Sequence, residues 1–187
     1  IIEWKDAWKS DYSAQLSVTE NPDILAGKCG DGVFYYLDTK GDNVLRITGS
    51  GKAELEYNLR DSVIEKQPAS VFIGKEVTSG DWGHLPATPG GVAVEAGNPA
   101  YISKDGCLLD ISGTILILGT SDGHIPDGVT VIGRDAFALC ASITELTVPD
   151  GITEIQDGAF SALTELTSVI LPSTVTECDD GAFYPNA

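Results

Sequence analysis

Residues 125–147 read IPDGVTVIGRDAFALCASITELT, residues 148–170 read VPDGITEIQDGAFSALTELTSVI, and residues 171–187 read LPSTVTECDDGAFYPNA. Laid over one another at a period of 23, four columns are invariant: Pro126/Pro149/Pro172, Thr130/Thr153/Thr176, Ala136/Ala159/Ala182 and Phe137/Phe160/Phe183. Five more keep a small or apolar residue: Ile125/Val148/Leu171, Val129/Ile152/Val175, Ile132/Ile155/Cys178, Ile143/Leu166 and Leu146/Val169. Each copy is too short to bury its own apolar face. Successive copies must therefore stack like on like and share one interior.

The stretches Ile143-Thr-Glu-Leu146-Thr-Val148 and Leu166-Thr-Ser-Val169-Ile-Leu171 carry the spacing L-x-x-L-x-L, which is the strand of a leucine-rich-repeat solenoid. Pro follows each stretch and ends it, because Pro has no N–H to give a ladder. Asp-Gly then supplies a turn at 127–128 and 150–151. The short Ala-Phe segment predicts one helical or 3-10 turn per coil, with Phe as the coil's anchor. The fold expected is a mainly β solenoid of 23-residue repeats with short helical or 3-10 turns.

Upstream the pattern loosens. Ile73-Gly-Lys-Glu-Val77-Thr78 matches Ile125-Pro-Asp-Gly-Val129-Thr130, Leu85 falls where Phe137 sits, and Val92-Ala-Val94, displaced by two residues, is the expected strand of that degenerate copy. Residues 98–124 interrupt the repeat. They predict a hairpin with strands near 106–110 and 114–118, joined through Ser112-Gly113, inserted into the solenoid or capping it. Alternation of Val33, Tyr35, Leu37 and then Leu45, Ile47 predicts a second hairpin over 33–37 and 44–48, turning through Gly41-Asp42-Asn43. In the first segment Ile1, Trp4, Trp8 and Tyr12 recur near i, i+4, the face of a short helix. Such a helix would cap the open end of the solenoid; the alternative is a set of aromatics gripping a sugar or a partner. The expected division is a cap or linker over 1–28, a small β module over 29–70, and the solenoid over 71–187 with the hairpin insertion at 98–124.

Lys and Arg number 11 against 28 Asp and Glu, a formal charge of −17. That balance repels phosphate backbones and anionic lipid, which argues against nucleic-acid and membrane-surface roles. The longest obvious apolar run, Ile115-Leu116-Ile117-Leu118, is far short of the about 20 residues of a membrane helix. The chain opens on Ile1 and contains no Met, so it reads as a mature or trimmed chain, and the missing export signal says nothing about compartment. Cys29, Cys107, Cys140 and Cys178 show no metal-ligand spacing. An even number permits disulfides, and buried free thiols packing as small apolar residues are the favoured reading.

No catalytic, cofactor or metal residues are assigned. G-x-S-x-G, S-x-x-K and a supported Cys-His pair are absent, and Gly49-Ser50-Gly51-Lys52 lacks P-loop spacing. His84 lies in the degenerate coil and His124 beside Ile125, both read as surface or turn positions. Asp31, Asp105, Asp122, Asp127, Asp150, Asp157 and Asp180 each precede Gly, the usual chemistry of a turn with positive φ. No EF-hand loop is present. Counting carboxylates leaves a glycosidase pair open.

Between the buried strand positions, Thr144, Glu145 and Thr147 in one coil and Thr167, Ser168 and Ile170 in the next should face outward. They are the candidate binding face, and a solvated face with a packing ladder accounts for them equally well. Glu154 over Glu177 makes an acidic ladder beside the Thr130/Thr153/Thr176 stack.

Ile125-Pro126, Val129-Thr130, Ile132-Gly133, Ala136-Phe137 and Cys140 resemble the repeat of the BspA-like leucine-rich-repeat family of bacterial surface proteins, IP-x-x-V-T-x-I-G-x-x-A-F-x-x-C. Asn98-Pro99-Ala-Tyr101 with Asp105-Gly106-Cys107-Leu108 resembles an interruption common in the same proteins. Cys29-Gly30-Asp31 to Leu37-Asp38, then Leu45-Arg-Ile47-Thr-Gly49-Ser-Gly51, is similar to a small β module that often precedes the repeats, with Tyr35 in place of its Trp. Departures are Cys178 for Ile, Asp179 for Gly and Leu163 where Cys is frequent. The resemblance implies an extracellular or cell-surface protein of a host-associated anaerobe, adhering to a protein or glycan on host or neighbouring microbe. Two other functions stay open: a structural spacer or stalk in a larger surface protein, and a carbohydrate-active enzyme domain.

Overall fold

The computed structural model of the chain describes residues 23–55, 65–85, 87–138 and 140–184. The cap helix expected around Ile1, Trp4, Trp8 and Tyr12 lies outside the described residues. The described part of that first segment, from Ile24 on, is strand.

In the regular repeats the first two coils contribute two short strands each and the last coil one. One column is β11 (Val131–Ile132), β13 (Glu154–Ile155) and β15 (Glu177–Cys178); the other is β12 (Glu145–Thr147) and β14 (Ser168–Ile170). All pair in parallel, Val131 to Glu154 to Glu177 and Glu145 to Ser168, so each residue faces its equivalent 23 positions on. The Asp-Gly turns carry positive φ at Gly128 and Gly151 (90° and 100°), where a side chain would be strained.

The Ala-Phe segment makes successive turns rather than a helix, and its backbone donors explain why. Ala136, Ala138 and Cys140 donate within the coil to Gly133, Asp135 and Phe137, the 3-10 pattern. The intervening N–H groups of Asp135 and Phe137 donate instead to Asp157 and Ala159 of the next coil. Half the donors a helix needs thus hold coils together. The phenylalanines stack through the interior: Phe137 and Phe160 at 5.4 Å and 10°, Phe160 and Phe183 at 5.2 Å and 19°. Phe137 ends the stack against Gly119, where a Cβ would lie 2.1 Å from its ring.

The insertion hairpin is present as β9 (Cys107–Asp110) and β10 (Ile115–Leu118), antiparallel with Leu109 opposite Leu116. Ile115 and Leu116 then pair in parallel with Val131 and Ile132, so the hairpin is part of the solenoid sheet. An additional strand, β8 (Tyr101–Lys104), extends it. Asn98, 5% exposed, launches β8: its Nδ2 donates to Gly74 O (3.0 Å) and Val77 O (2.9 Å), and its Oδ1 accepts from the N–H of Ala100 (2.8 Å) and Tyr101 (3.0 Å). Tyr101 then meets Trp82 edge to face at 5.6 Å.

Before the hairpin, β1 (Ile24–Lys28), β2 (Val33–Asp38) and β3 (Val44–Gly49) form an antiparallel meander that includes the expected second hairpin. A parallel ladder continues from β3 through β5 (Ser70–Ile73) to β7 (Val92–Val94), Val71 facing Val92, so Val92-Ala-Val94 is indeed the strand of a degenerate coil. Strands β4 (Gly51–Ala53) and β6 (Val77–Gly80) pair beside it, and Trp82–His84 is a single 3-10 turn. Two cores result. Leu108 and Leu118 belong to the first with Val33, Ile47, Val77 and Trp82; Cys107, Leu109 and Leu116 belong to the second with the stacked phenylalanines. Strand β9 has no solvent side until Asp110, and it binds the cores to each other.

All four cysteines are free thiols. Burial pushes Cys29 and Cys140 up to about 12 and Cys107 up to about 11, and packs them as small apolar groups. Cys178 departs from the expectation of buried thiols. It is exposed on β15, whose outer side no described strand covers.

The β9–β10 turn yields a pH prediction. Partial burial of Asp110 raises its pKa, but hydrogen bonds from the Ser112 hydroxyl and from the N–H groups of Ile115 (2.7 Å), Ser112 (3.1 Å) and Thr114 (2.9 Å) outweigh this and leave it below the usual carboxylate range. A lowered folded pKa gives stability that is present above the unfolded value, about 3.9, and is lost as pH falls through the folded one. The urea midpoint should therefore fall below about pH 4. The fall should be shallower in Asp110→Asn; an identical profile in the two proteins would contradict this account of the turn.

Candidate binding surface

The six residues expected to face outward lie together on β12, β14 and the residues just before them. Glu145 stands opposite Ser168 and Thr147 opposite Ile170, with Thr144 and Thr167 leading in. All six are exposed, whereas Leu146 between them is 2% exposed and Val169 is half-buried. Ile170 is 60% exposed and its neighbour Leu171 43%, which puts an apolar spot at one end of a polar face. The threonines serve the ladder. Thr167 donates both its N–H and its hydroxyl to Thr144 O (2.8 and 2.9 Å). Thr153 and Thr176 donate their hydroxyls likewise to Thr130 O and Thr153 O (3.2 and 3.3 Å). Glu154 and Glu177 face each other in register, as the acidic ladder requires.

Sequence reasoning did not find a second feature. The turn at 89–91, the Asp105-Gly106 turn between β8 and β9, and the loop 120–124 enclose a cleft of about 400 Å³. The loop stacks on the turn that leads into β12: Ser142 Oγ donates to Ser121 O (3.0 Å), and Cys140 Sγ lies 3.9 Å from Thr120 O. Asp122 accepts from the Thr120 hydroxyl (2.5 Å) and the His124 N–H (3.3 Å), and these bonds lower its pKa. His124 Nε2 lies 3.8 Å from an Asp105 oxygen, too far for a direct hydrogen bond. Each of these residues reads as a turn on its own. Only the folded chain brings three such turns together, and no spacing could have announced it. Among the described residues, no three His, Cys, Asp or Glu side chains are placed to share a metal ion, and no helix is long and apolar enough to cross a membrane.

Residues 120–187 match the family described as BspA type Leucine rich repeat region (6 copies). Among solved structures, the chain is similar to the pneumococcal vaccine antigen PcpA, at 24% identity and a TM-score of 0.48, over 57% of this chain and 28% of that one. A leucine rich cell surface protein of Faecalibacterium prausnitzii matches at 20% identity and a TM-score of 0.31, over 87% and 47%. A leucine-rich repeat protein of Eubacterium ventriosum matches at 11% and 0.27, over 86% and 94%. The chain thus spans just over a quarter of the pneumococcal protein's length. No curated protein matches it. The stacked phenylalanines, paired strand columns and 23-residue register lie in the segment from residue 120 to 187, the part of the chain that matches the BspA-type leucine-rich-repeat family.

Proposed function

We propose that the chain is a non-catalytic recognition module at the cell surface, binding a protein or glycan of a host or neighbouring microbe through the face of β12 and β14. The observation that carries this reading is the apolar spot of Ile170 and Leu171 beside an outward polar row, on strands whose alternate residues are buried. BspA-type repeats resemble those of bacterial surface proteins, and a charge of −17 suits a protein that stays soluble outside the cell. Two strands are small against the about 800 Å² per partner of a standard interface, so a protein partner would also touch upstream modules.

One observation favours a second reading, a structural spacer in a longer surface protein: the threonine hydroxyls are spent on the neighbouring coil's backbone. Screening the purified chain against host matrix proteins and a glycan array separates the two. Under the recognition reading a ligand is found, and Ile170→Asp or Glu145→Lys weakens it about tenfold, the loss of a central contact, without moving the melting temperature. Uniformly negative screens would leave the spacer.

A further inference from the structure

The cleft beside the loop 120–124 has a definite chemistry. Its side-chain groups are two carboxylates, Asp105 and Asp122, two hydroxyls, Thr120 and Ser121, and the His124 imidazole; no Lys or Arg lines it. Its walls are backbone in close approach: a Cβ on Gly91 would lie 2.3 Å from Gly106 O, so the 89–91 and 105–106 turns are locked together and the cleft is preformed. Acceptors therefore line a fixed space that no Lys or Arg of the chain borders. The surrounding field of 28 acidic against 11 basic residues draws positive groups toward it.

We propose that this cleft takes a basic side chain, an arginine guanidinium or a lysine ammonium, presented by a protein partner. The proposal deepens the recognition reading by giving the partner its chemistry, and it rests on that reading only for the partner's being a protein. The planar guanidinium suits the site best, because five N–H donors can address a carboxylate and the hydroxyls at once. A basic side chain docked here would sit on the coil that precedes β12. One partner could then reach both the cleft and the Ile170 face.

The test is a titration of the intact chain with acetylated, amidated tri-arginine, followed by NMR shifts, with tri-citrulline as the uncharged isostere. Tri-arginine should shift the resonances of Thr120–His124 and bind measurably more weakly as salt rises, and tri-citrulline should not bind. Asp105→Asn and Asp122→Asn should each weaken binding about fivefold or more, whereas Glu76→Gln and Glu177→Gln, at exposed positions outside the cleft, should change it less than about twofold. Ser121→Arg should abolish binding by filling the cleft with its own guanidinium; this variant carries the test if an Asp variant folds poorly. Equal losses from all four acid-to-amide changes would mean diffuse attraction to an acidic surface and would overturn the proposal. So would undiminished binding to Ser121→Arg. A partner that binds through Ile170 but is indifferent to Ser121→Arg would sink the cleft and keep the recognition module. Tripeptide binding in the cleft with empty partner screens would do the reverse.

Discussion

Phe160→Ala is expected to lower the unfolding free energy by about 3–5 kcal/mol, the range for emptying a fully buried aromatic site. Phe160 is 0% exposed and has a ring on either side, Phe137 at 5.4 Å and Phe183 at 5.2 Å. Its removal loses burial and both ring contacts at once. Collapse cannot fill the gap cheaply, because inter-coil hydrogen bonds at Phe137 and Phe160 N–H hold the coils at a set spacing. In a solenoid each coil is stabilised by its neighbours alone. The substitution should therefore uncouple the last coil as well as weaken the whole, and hydrogen exchange should quicken first at residues 175–184. Phe183→Ala, at a half-buried position, should cost less. Equilibrium urea unfolding measures both, and a loss under about 0.5 kcal/mol for Phe160→Ala, the size of an ordinary surface change, would show that the stack does not support the coils.

Much of the architecture was legible because the columns obey one rule. Residues 23 apart share an environment, so Phe137, Phe160 and Phe183 could be placed in line, and the outward direction of Glu145 and Ser168 followed from the buried Leu146. Elements shorter than the rule's resolution escaped. Strands β11, β13 and β15 are two residues each, too short for an alternating pattern to register, although Glu154 over Glu177 marked where they lie. Strand β8 was not foreseen, since Ile102-Ser103-Lys104 alternates weakly and becomes strand through its pairing with β9. The Ala-Phe segment keeps 3-10 hydrogen bonds without becoming a helix, because the next coil claims alternate donors, and a single copy of the repeat contains no trace of that competition. The cleft was the least legible, being made by three turns whose approach is a property of the stacked whole.

The interruption at Asn98 carries the second large effect. Asn98→Ala should cost about 3–4 kcal/mol, because it strands the carbonyls of Gly74 and Val77 and the N–H groups of Ala100 and Tyr101 in a site only 5% exposed. The side chain ties the degenerate coil, through Gly74 and Val77, to the start of β8. Its loss should also loosen Tyr101 from Trp82 and shift the tryptophan fluorescence. Asn98→Asp distinguishes a hydrogen-bonding role from one of mere volume. The carboxylate still accepts from Ala100 and Tyr101, but it sets an unpaired charge against the two carbonyls to which the amide had donated. Protonation restores one donor. The pKa of this Asp in the folded state should therefore be raised, and the deficit of Asn98→Asp relative to the parent should shrink as pH falls, opposite in sign to the acid loss expected from Asp110. A deficit that does not change with pH would assign Asn98 to packing and remove the clamp from this account of how the hairpin joins the solenoid.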